Sequence, residues 1–193
     1  HEEWKYSNVK AMVGEQYGFD EGTTLTADDL TPLQIPNLEG NILYFVNGNY
    51  RADLSQIVSP ATHLQIKSFA EAQQTDAETV GLHFSRYADF QDNAFTALNT
   101  AFAQEGVFIR IPDNKVVEQP VILHFITDTR RGNVAVQPRN LIVVGRNAEV
   151  KIAESYRTLG NGAGFNNVTY PGESGRQQSL LQRHHYTQRW FCA

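Results

Sequence analysis

This chain of 193 residues has one cysteine, no long apolar run and fewer basic than acidic residues. The single cysteine, Cys192, excludes a disulfide within the chain and suits a reducing compartment. The longest aliphatic run, at residues 141–144, is far too short to span a bilayer, and no signal-peptide h-region opens the sequence. We therefore expect a cytoplasmic protein without a membrane partner.

The charge balance argues against a broad nucleic-acid surface. The formal net charge is -5 and the pI is about 5.7, whereas phosphate binding requires clustered lysine and arginine. A hydrophobic share of 41% is typical of a soluble globular protein, and the length suits one domain or two closely packed subdomains. We expect no nucleic-acid partner.

The most specific stretch runs from residue 93 to residue 112, where a predicted helix joins a predicted strand. Three large apolar residues recur at helical spacing and predict one packed face: Phe95, Leu98 and Phe102. Asp92 or Asn93 can cap the start of this helix, and Gly106 stands where a left-handed residue would end it. Residues 107–111 then alternate with the period of a strand, which Pro112-Asp113-Asn114 ends.

Residues 1–105 are predicted to form a mixed and helical N-terminal region with one hairpin near residues 41–54. Residues 41–46 predict a strand, and Asn47-Gly48 predicts a two-residue turn because both residues tolerate positive φ. The return strand would run through residues 50–54. Residues 64–104 predict amphipathic helices, with a boundary between two of them at Thr75-Asp76.

Residues 106–170 predict a core of short strands. The predicted strands cover residues 107–111, 121–127, 134–136, 141–144 and 150–153, with prolines and glycines between them. This pattern suits a sandwich, a barrel or a coiled parallel sheet, and periodicity does not choose among the three.

Residues 171–193 form an atypical tail. This segment contains three arginines, no lysine and one acidic residue, Glu173, and the strand pattern stops before it. We expect a truncated or out-of-frame C-terminus. The lack of an initiating methionine before His1 suggests that the start of the reading frame is missing as well.

Several segments together resemble the SufB/SufD family of iron-sulfur cluster assembly proteins. They are residues 93–112, the opening residues 2–8, the turn at residues 45–48 and residues 138–144. Their order and spacing agree with the family over about residues 1–169, and residues 106–110 favour the SufD branch over the SufB branch. The resemblance implies a mainly β fold with an N-terminal α-helical region, in which an incomplete right-handed parallel β-helix forms the core.

The function implied by this resemblance is that of a scaffold subunit, SufD-like, which acts with SufB and the ATPase SufC and is not itself an enzyme. The alternatives are a SufB-like paralogue and, less favoured, a carbohydrate-active β-helix protein, which would require export and an acidic cluster. The iron-sulfur cluster would be handled by the full complex, so no cofactor is assigned to this fragment. The functional cysteine and histidine residues of the family are expected beyond the portion that matches here.

Two groups of residues invite a binding site. His184, His185 and Cys192 are of types that bind zinc or iron, but adjacent histidines point in different directions and no fourth ligand is evident, so we assign no metal site. The glycine-rich residues 160–164 could approach a phosphate. A polar strand follows them rather than a helix, which favours a surface loop between coils.

The remaining candidate functional residues are isolated polar residues within the predicted strands. His124 is predicted on the face opposite Val121, Leu123 and Phe125, and we interpret it as a hydrogen-bonded histidine on a partly covered sheet rather than a catalytic one. Three further charges are interpreted as outward-facing: Arg110, Lys151 and Glu154. We predict no catalytic residue, and the cofactor-binding residues are left unassigned.

Overall fold

A computed structural model describes residues 14–18, 24–34, 38–84, 94–102, 106–169, 177–182 and 187–192. The helices are α1 (Ala27–Leu30), which continues into a 3-10 turn (Thr31–Leu33), α2 (Phe69–Thr75), α3 (Ala77–Phe84) and α4 (Ala94–Phe102). The strands are β1 (Asn41–Val46), β2 (Asn49–Gln56), β3 (Gln65–Ser68), β4 (Val107–Ile111), β5 (Val121–Asp128), β6 (Val134–Val136), β7 (Leu141–Val144), β8 (Lys151–Leu159), β9 (Gly164–Thr169), β10 (Gln177–Gln182) and β11 (Thr187–Cys192). No helix in these ranges is both long and apolar enough to cross a membrane.

The strands form three sheets that the chain visits twice in the same order. Sheet I has the order β11-β8-β5-β1-β2, sheet II has β10-β9-β6, and sheet III has β3-β4-β7. A first circuit runs β4-β5-β6 through sheets III, I and II, and a second circuit runs β7-β8-β9 through the same sheets. Each strand of the second circuit pairs in parallel with its counterpart in the first, so the two circuits stack.

One apolar core lies inside the circuits and draws on all three sheets. It includes Leu43 from β1, Ile109 from β4, Leu123 from β5 and Val168 from β9. An aromatic ladder crosses three neighbouring strands of sheet I within this core. The rings of Phe45 and Phe125 lie 4.8 Å apart between centroids, and those of Phe125 and Tyr156 lie 4.9 Å apart. Stacked aromatic pairs contribute about 0.5 to 1.5 kcal/mol each beyond their buried area.

Residues from the N-terminal region cover the outer faces of the sheets. Leu25 and Leu30 pack on Tyr44 and Ile126 of sheet I. Helices α2 and α3 cover sheet III, where Phe69, Ala72 and Val80 pack on Phe108 and Leu141. Helix α4 places Phe95 against Ala135 and Phe165 of sheet II. Most residues of the circuit strands are therefore covered on both faces of the sheets.

The hairpin and most strand predictions are confirmed. Asn47 and Gly48 have φ angles of 48° and 88°, and β1 and β2 pair antiparallel with Val46 opposite Asn49. Strand β1 also pairs in parallel with β5, so the hairpin belongs to sheet I. The proposed boundaries at residues 105 and 170 stay predictions. The predicted helix cap at Asp92 or Asn93 lies outside the described residues.

Three details differ from the predictions. Gln65–Ser68 forms β3 rather than helix, because it pairs antiparallel with β4 before Ser68 caps α2. Strand β8 extends to Leu159, beyond the predicted end at residue 153, because it pairs in parallel with β5 as far as Asp128. Phe102 is 50% exposed rather than packed, since the buried face of α4 includes Thr96 and Asn99 instead.

The tail differs from the two circuits in strand direction. Strand β10 pairs antiparallel with β9, and β11 pairs antiparallel with β8. The tail strands therefore do not repeat the parallel stacking that joins the second circuit to the first.

Candidate functional site

The corner between sheets III and I has an asparagine at the same position in both circuits. Asn114 and Asn147 have left-handed φ angles of 58° and 54°, and Asn147 Nδ2 donates to Asn114 Oδ1 at 3.2 Å. Beside them, Arg146 Nη2 donates to Asp113 Oδ2 at 2.9 Å. Both pairs join residues 33 positions apart. Asparagine tolerates the left-handed conformation because its short polar side chain bonds locally, so this ladder fixes both corners in one shape.

The glycine-rich corner between sheets I and II is stacked on the first circuit. The N–H of Gly162 donates to Thr129 Oγ1 at 3.1 Å, and the N–H of Ala163 donates to Asn133 Oδ1 at 2.8 Å. A Cβ on Gly162 would lie 2.9 Å from the carbonyl oxygen of Gly132. The loop needs glycine for this close approach, and these two amides donate to the protein rather than outward to an anion.

A buried amide network joins helix α4 to the corner between sheets II and III. Asn99 Nδ2 donates to the carbonyl oxygens of Asn167 at 2.7 Å and Pro138 at 3.2 Å. In return, Asn167 Nδ2 donates to the Phe95 carbonyl at 2.8 Å and to Gln137 Oε1 at 2.7 Å. Asn99 and Asn167 have no exposed surface, so each bond replaces one that water would otherwise make.

Gly106 has a packing role at the same corner. A Cβ there would lie 1.9 Å from the carbonyl oxygen of Arg139, a distance that no real side chain tolerates. Residues 103–105 lie outside the described ranges, so the cap predicted at Gly106 stays a prediction. The glycine is required in any case by the approach of the second circuit.

His124 lies on the outer face of sheet I, as predicted, but it is 2% exposed. Its ring stacks on Tyr44 with centroids 5.1 Å apart. Its Nδ1 atom is buried without a hydrogen-bond partner among the residues that the structure describes, contrary to the predicted hydrogen-bonded histidine. Burial, with a smaller contribution from the charge of Arg157, lowers the pKa of His124 from 6.5 to about 4. The imidazole is therefore neutral at physiological pH.

The three charges predicted to face outward behave differently from one another. Lys151 is exposed, as predicted. Arg110 is half-buried, and its Nη1 lies 3.7 Å from Asp76 Oδ1. The prediction for Glu154 is wrong, because this side chain is 3% exposed and its Oε2 accepts a hydrogen bond from Tyr156 Oη at 2.9 Å. A buried carboxylate needs such partners, and the sequence pattern of β8 does not reveal them.

No metal centre is found among the described residues. His184 and His185 lie outside them, and Cys192 is the last residue of β11. Within the described ranges, no three histidine, cysteine, aspartate or glutamate side chains come together as metal ligands would. The prediction of no metal or catalytic residue stays a prediction for the chain as a whole.

The arrangement is that of two stacked circuits whose corners are fixed by amides, glycines and ion pairs, among them Arg146–Asp113 and Arg130–Asp128. Sequence reasoning missed Asn99 and Asn167, which hold α4 to the circuits. The signal for Asn99 was present, because it interrupts the apolar helix face one position after Leu98.

Comparison with known proteins identifies the family. The family model described as the SufBD protein N-terminal region matches residues 1–123. The chain belongs to the SufBD family. The SufBD match extends from the N-terminal region into β5, so it includes β1, the helices and the start of the first circuit.

A curated SufBD relative supports the same assignment. The iron-sulfur cluster assembly SufBD family protein of Synechocystis sp. is 26% identical to this chain over 158 residues, which is 82% of this chain and 35% of the relative. The chain thus spans about a third of the length of the curated SufBD protein that it matches.

Proposed function

We propose that this chain is part of a scaffold subunit in iron-sulfur cluster assembly, with the cluster as its cargo rather than a resident cofactor. The observation that carries the proposal is the SufBD match over residues 1–123, supported by the Synechocystis relative, which is named as an iron-sulfur cluster assembly protein. The subunit would be non-catalytic and cytoplasmic. Residues that contact a nascent cluster would belong to parts of the protein outside this chain.

The core of the subunit is proposed to be a right-handed parallel β-helix, of which β4-β5-β6 and β7-β8-β9 are successive coils. Support comes from the three parallel strand pairs and from hydrogen bonds between corner residues 33 and 30 positions apart. Each coil of such a solenoid contacts only its neighbours, so further coils would extend the stack without changing these two.

The physical basis for a scaffold role is resistance to deformation. Buried apolar side chains fill the interior, and the corners have no spare volume at Gly106, Gly145 and Gly162. Packed interiors transmit displacement rather than absorb it, so a nucleotide-driven partner could shift the whole stack as one body.

Within the family we propose the SufD branch, with SufB-like and SufC-like subunits as partners. The support is the sequence at residues 106–110, which forms the close-packed start of β4. The SufB branch is the second candidate, and the two differ in the paralogue with which each pairs.

Co-purification tests both the role and the branch. The full-length protein encoded by the parent gene would carry an affinity tag and be co-expressed with SufC and either SufB or SufD from the same source. A stable complex with SufB and SufC supports the SufD branch, whereas a complex that forms only with SufD and SufC supports the SufB branch. The scaffold proposal would be overturned if the protein retained neither SufC with SufB nor SufC with SufD.

A further inference from the structure

The sequence contains two Asn-Gly pairs, Asn47-Gly48 and Asn161-Gly162, in opposite surroundings. Such pairs can undergo spontaneous deamidation. The backbone nitrogen of the glycine bonds to the asparagine Cγ, the bond from Cγ to Nδ2 breaks, and ammonia leaves. Water then opens the succinimide ring to aspartate or isoaspartate. Glycine favours the attack because it has no Cβ to obstruct the nitrogen.

Asn47 is protected against this reaction. Its side chain is held at both ends, since Oδ1 accepts from the N–H of Asp128 at 2.7 Å and Nδ2 lies 3.5 Å from the Asp128 carbonyl oxygen. The residue is 1% exposed. Attack by Gly48 would require the amide to leave both contacts and admit water, which amounts to local unfolding of the end of sheet I.

Asn161 has the opposite environment. It is exposed, and its side chain makes no hydrogen bond to any residue in the described ranges. The amide can therefore rotate toward the backbone nitrogen of Gly162 while water reaches Cγ. One restraint remains, because the N–H of Gly162 donates to Thr129 Oγ1 at 3.1 Å. This bond holds the nucleophile but leaves the asparagine side chain free.

We propose that Asn161 is a site of spontaneous deamidation in the folded protein and that Asn47, with the same following residue, is not. The reaction changes the corner between sheets I and II. Aspartate adds a negative charge, and isoaspartate adds a methylene to the backbone at a loop where Gly162 already lies close to Gly132 and Thr129. The second circuit then loses its close packing against the first circuit at this corner.

Peptide mapping by mass spectrometry tests the proposal. The folded chain and the urea-denatured chain are incubated side by side in mildly alkaline buffer, and the fractions of both asparagines converted to aspartate and isoaspartate are followed with time. In urea the two sites should convert at similar rates, because the reacting pair is the same. In the folded protein Asn161 should convert at least about tenfold faster than Asn47, since a local opening free energy of about 1.4 kcal/mol is enough for that ratio.

The matched variant is Asn161→Gln, which should abolish conversion at the exposed corner and leave conversion of Asn47 in the urea-denatured chain unchanged. Equal rates at Asn47 and Asn161 in the folded protein would refute the proposal. So would an Asn161 that stays intact in the folded protein after the denatured chain has converted at both sites.

Discussion

Acid should destabilise this protein through one buried side chain, His124. Burial, aided by the charge of Arg157, holds the pKa of this imidazole at about 4, against 6.5 in an unfolded chain. Between these two pKa values, His124 is protonated in the unfolded state but stays neutral in the folded state. The contribution of His124 to stability is therefore complete above pH 6.5, falls as the pH drops through the interval, and changes no further below about 4.

The magnitude follows from the two pKa values. Proton linkage gives a loss of about 2.5 kcal/mol between pH 7.5 and pH 4.5, and a limit of about 3 kcal/mol for the complete shift. His124→Phe should remove this loss, because a phenyl ring can keep the stack on Tyr44 without titrating. The free energy of unfolding would be measured by urea titration with circular dichroism at both pH values. Subtracting the variant from the wild type removes the aspartate contributions that both proteins share.

His63→Phe is the control, because it removes a histidine from a half-buried turn elsewhere in the chain. If His63→Phe changes the pH dependence of the unfolding free energy as much as His124→Phe does, the effect comes from losing a histidine in general and not from His124. If the wild type and His124→Phe lose the same free energy between pH 7.5 and pH 4.5, the imidazole is not buried in its neutral form and the reasoning fails.

Three further predictions concern the stacked circuits, and urea unfolding measures each. Asn167→Ala should cost about 2 to 3 kcal/mol because it leaves buried acceptors unpaired, whereas the exposed Asn161→Ala should cost less than about 0.5 kcal/mol. Equal effects would contradict the amide network. Gly106→Ala should prevent folding to the native state because its Cβ overlaps a backbone carbonyl, whereas Gly81→Ala should be neutral or stabilise α3 by up to about 1 kcal/mol. A stable Gly106→Ala protein would show that the backbone of Arg139 does not approach Gly106 this closely. Phe125→Ala should cost about 3 to 5 kcal/mol, and a loss below about 1 kcal/mol would argue against the aromatic ladder.

The sequence predicts the hairpin and the strands of the circuits well because local chemistry controls them. Asn47-Gly48 can form its turn without help from the rest of the chain, and the apolar alternation of β4 reports its buried inner face. The sheet partners are different. Nothing local in β5 shows that it lies between β1 and β8, which is why the pattern left a sandwich, a barrel and a coiled parallel sheet open.

The polar interior was the least predictable part. Glu154 was expected outside because a carboxylate is rarely buried, yet Tyr156 supplies a hydrogen bond within the core. Phe102 was expected inside on helical spacing, yet Asn99 takes part in the buried face because its amide meets two carbonyl oxygens from distant residues. Partners that lie 39 and 68 positions away leave no periodic trace in the chain.

The position of β1 beside β5 bears on how relatives of this protein can diverge in length. Asn47 and Asp128 bond across 81 positions, whereas Thr129 and Leu159 bond across 30. Closing the longer connection costs only about 0.9 kcal/mol more in chain entropy, because the cost grows with the logarithm of length. Loops between β1 and β5 that lie outside the paired strands and packed helices can therefore change length at little cost in chain entropy. We expect length differences among relatives to concentrate in these loops. The spacings of 30 and 33 positions between successive corners should be kept.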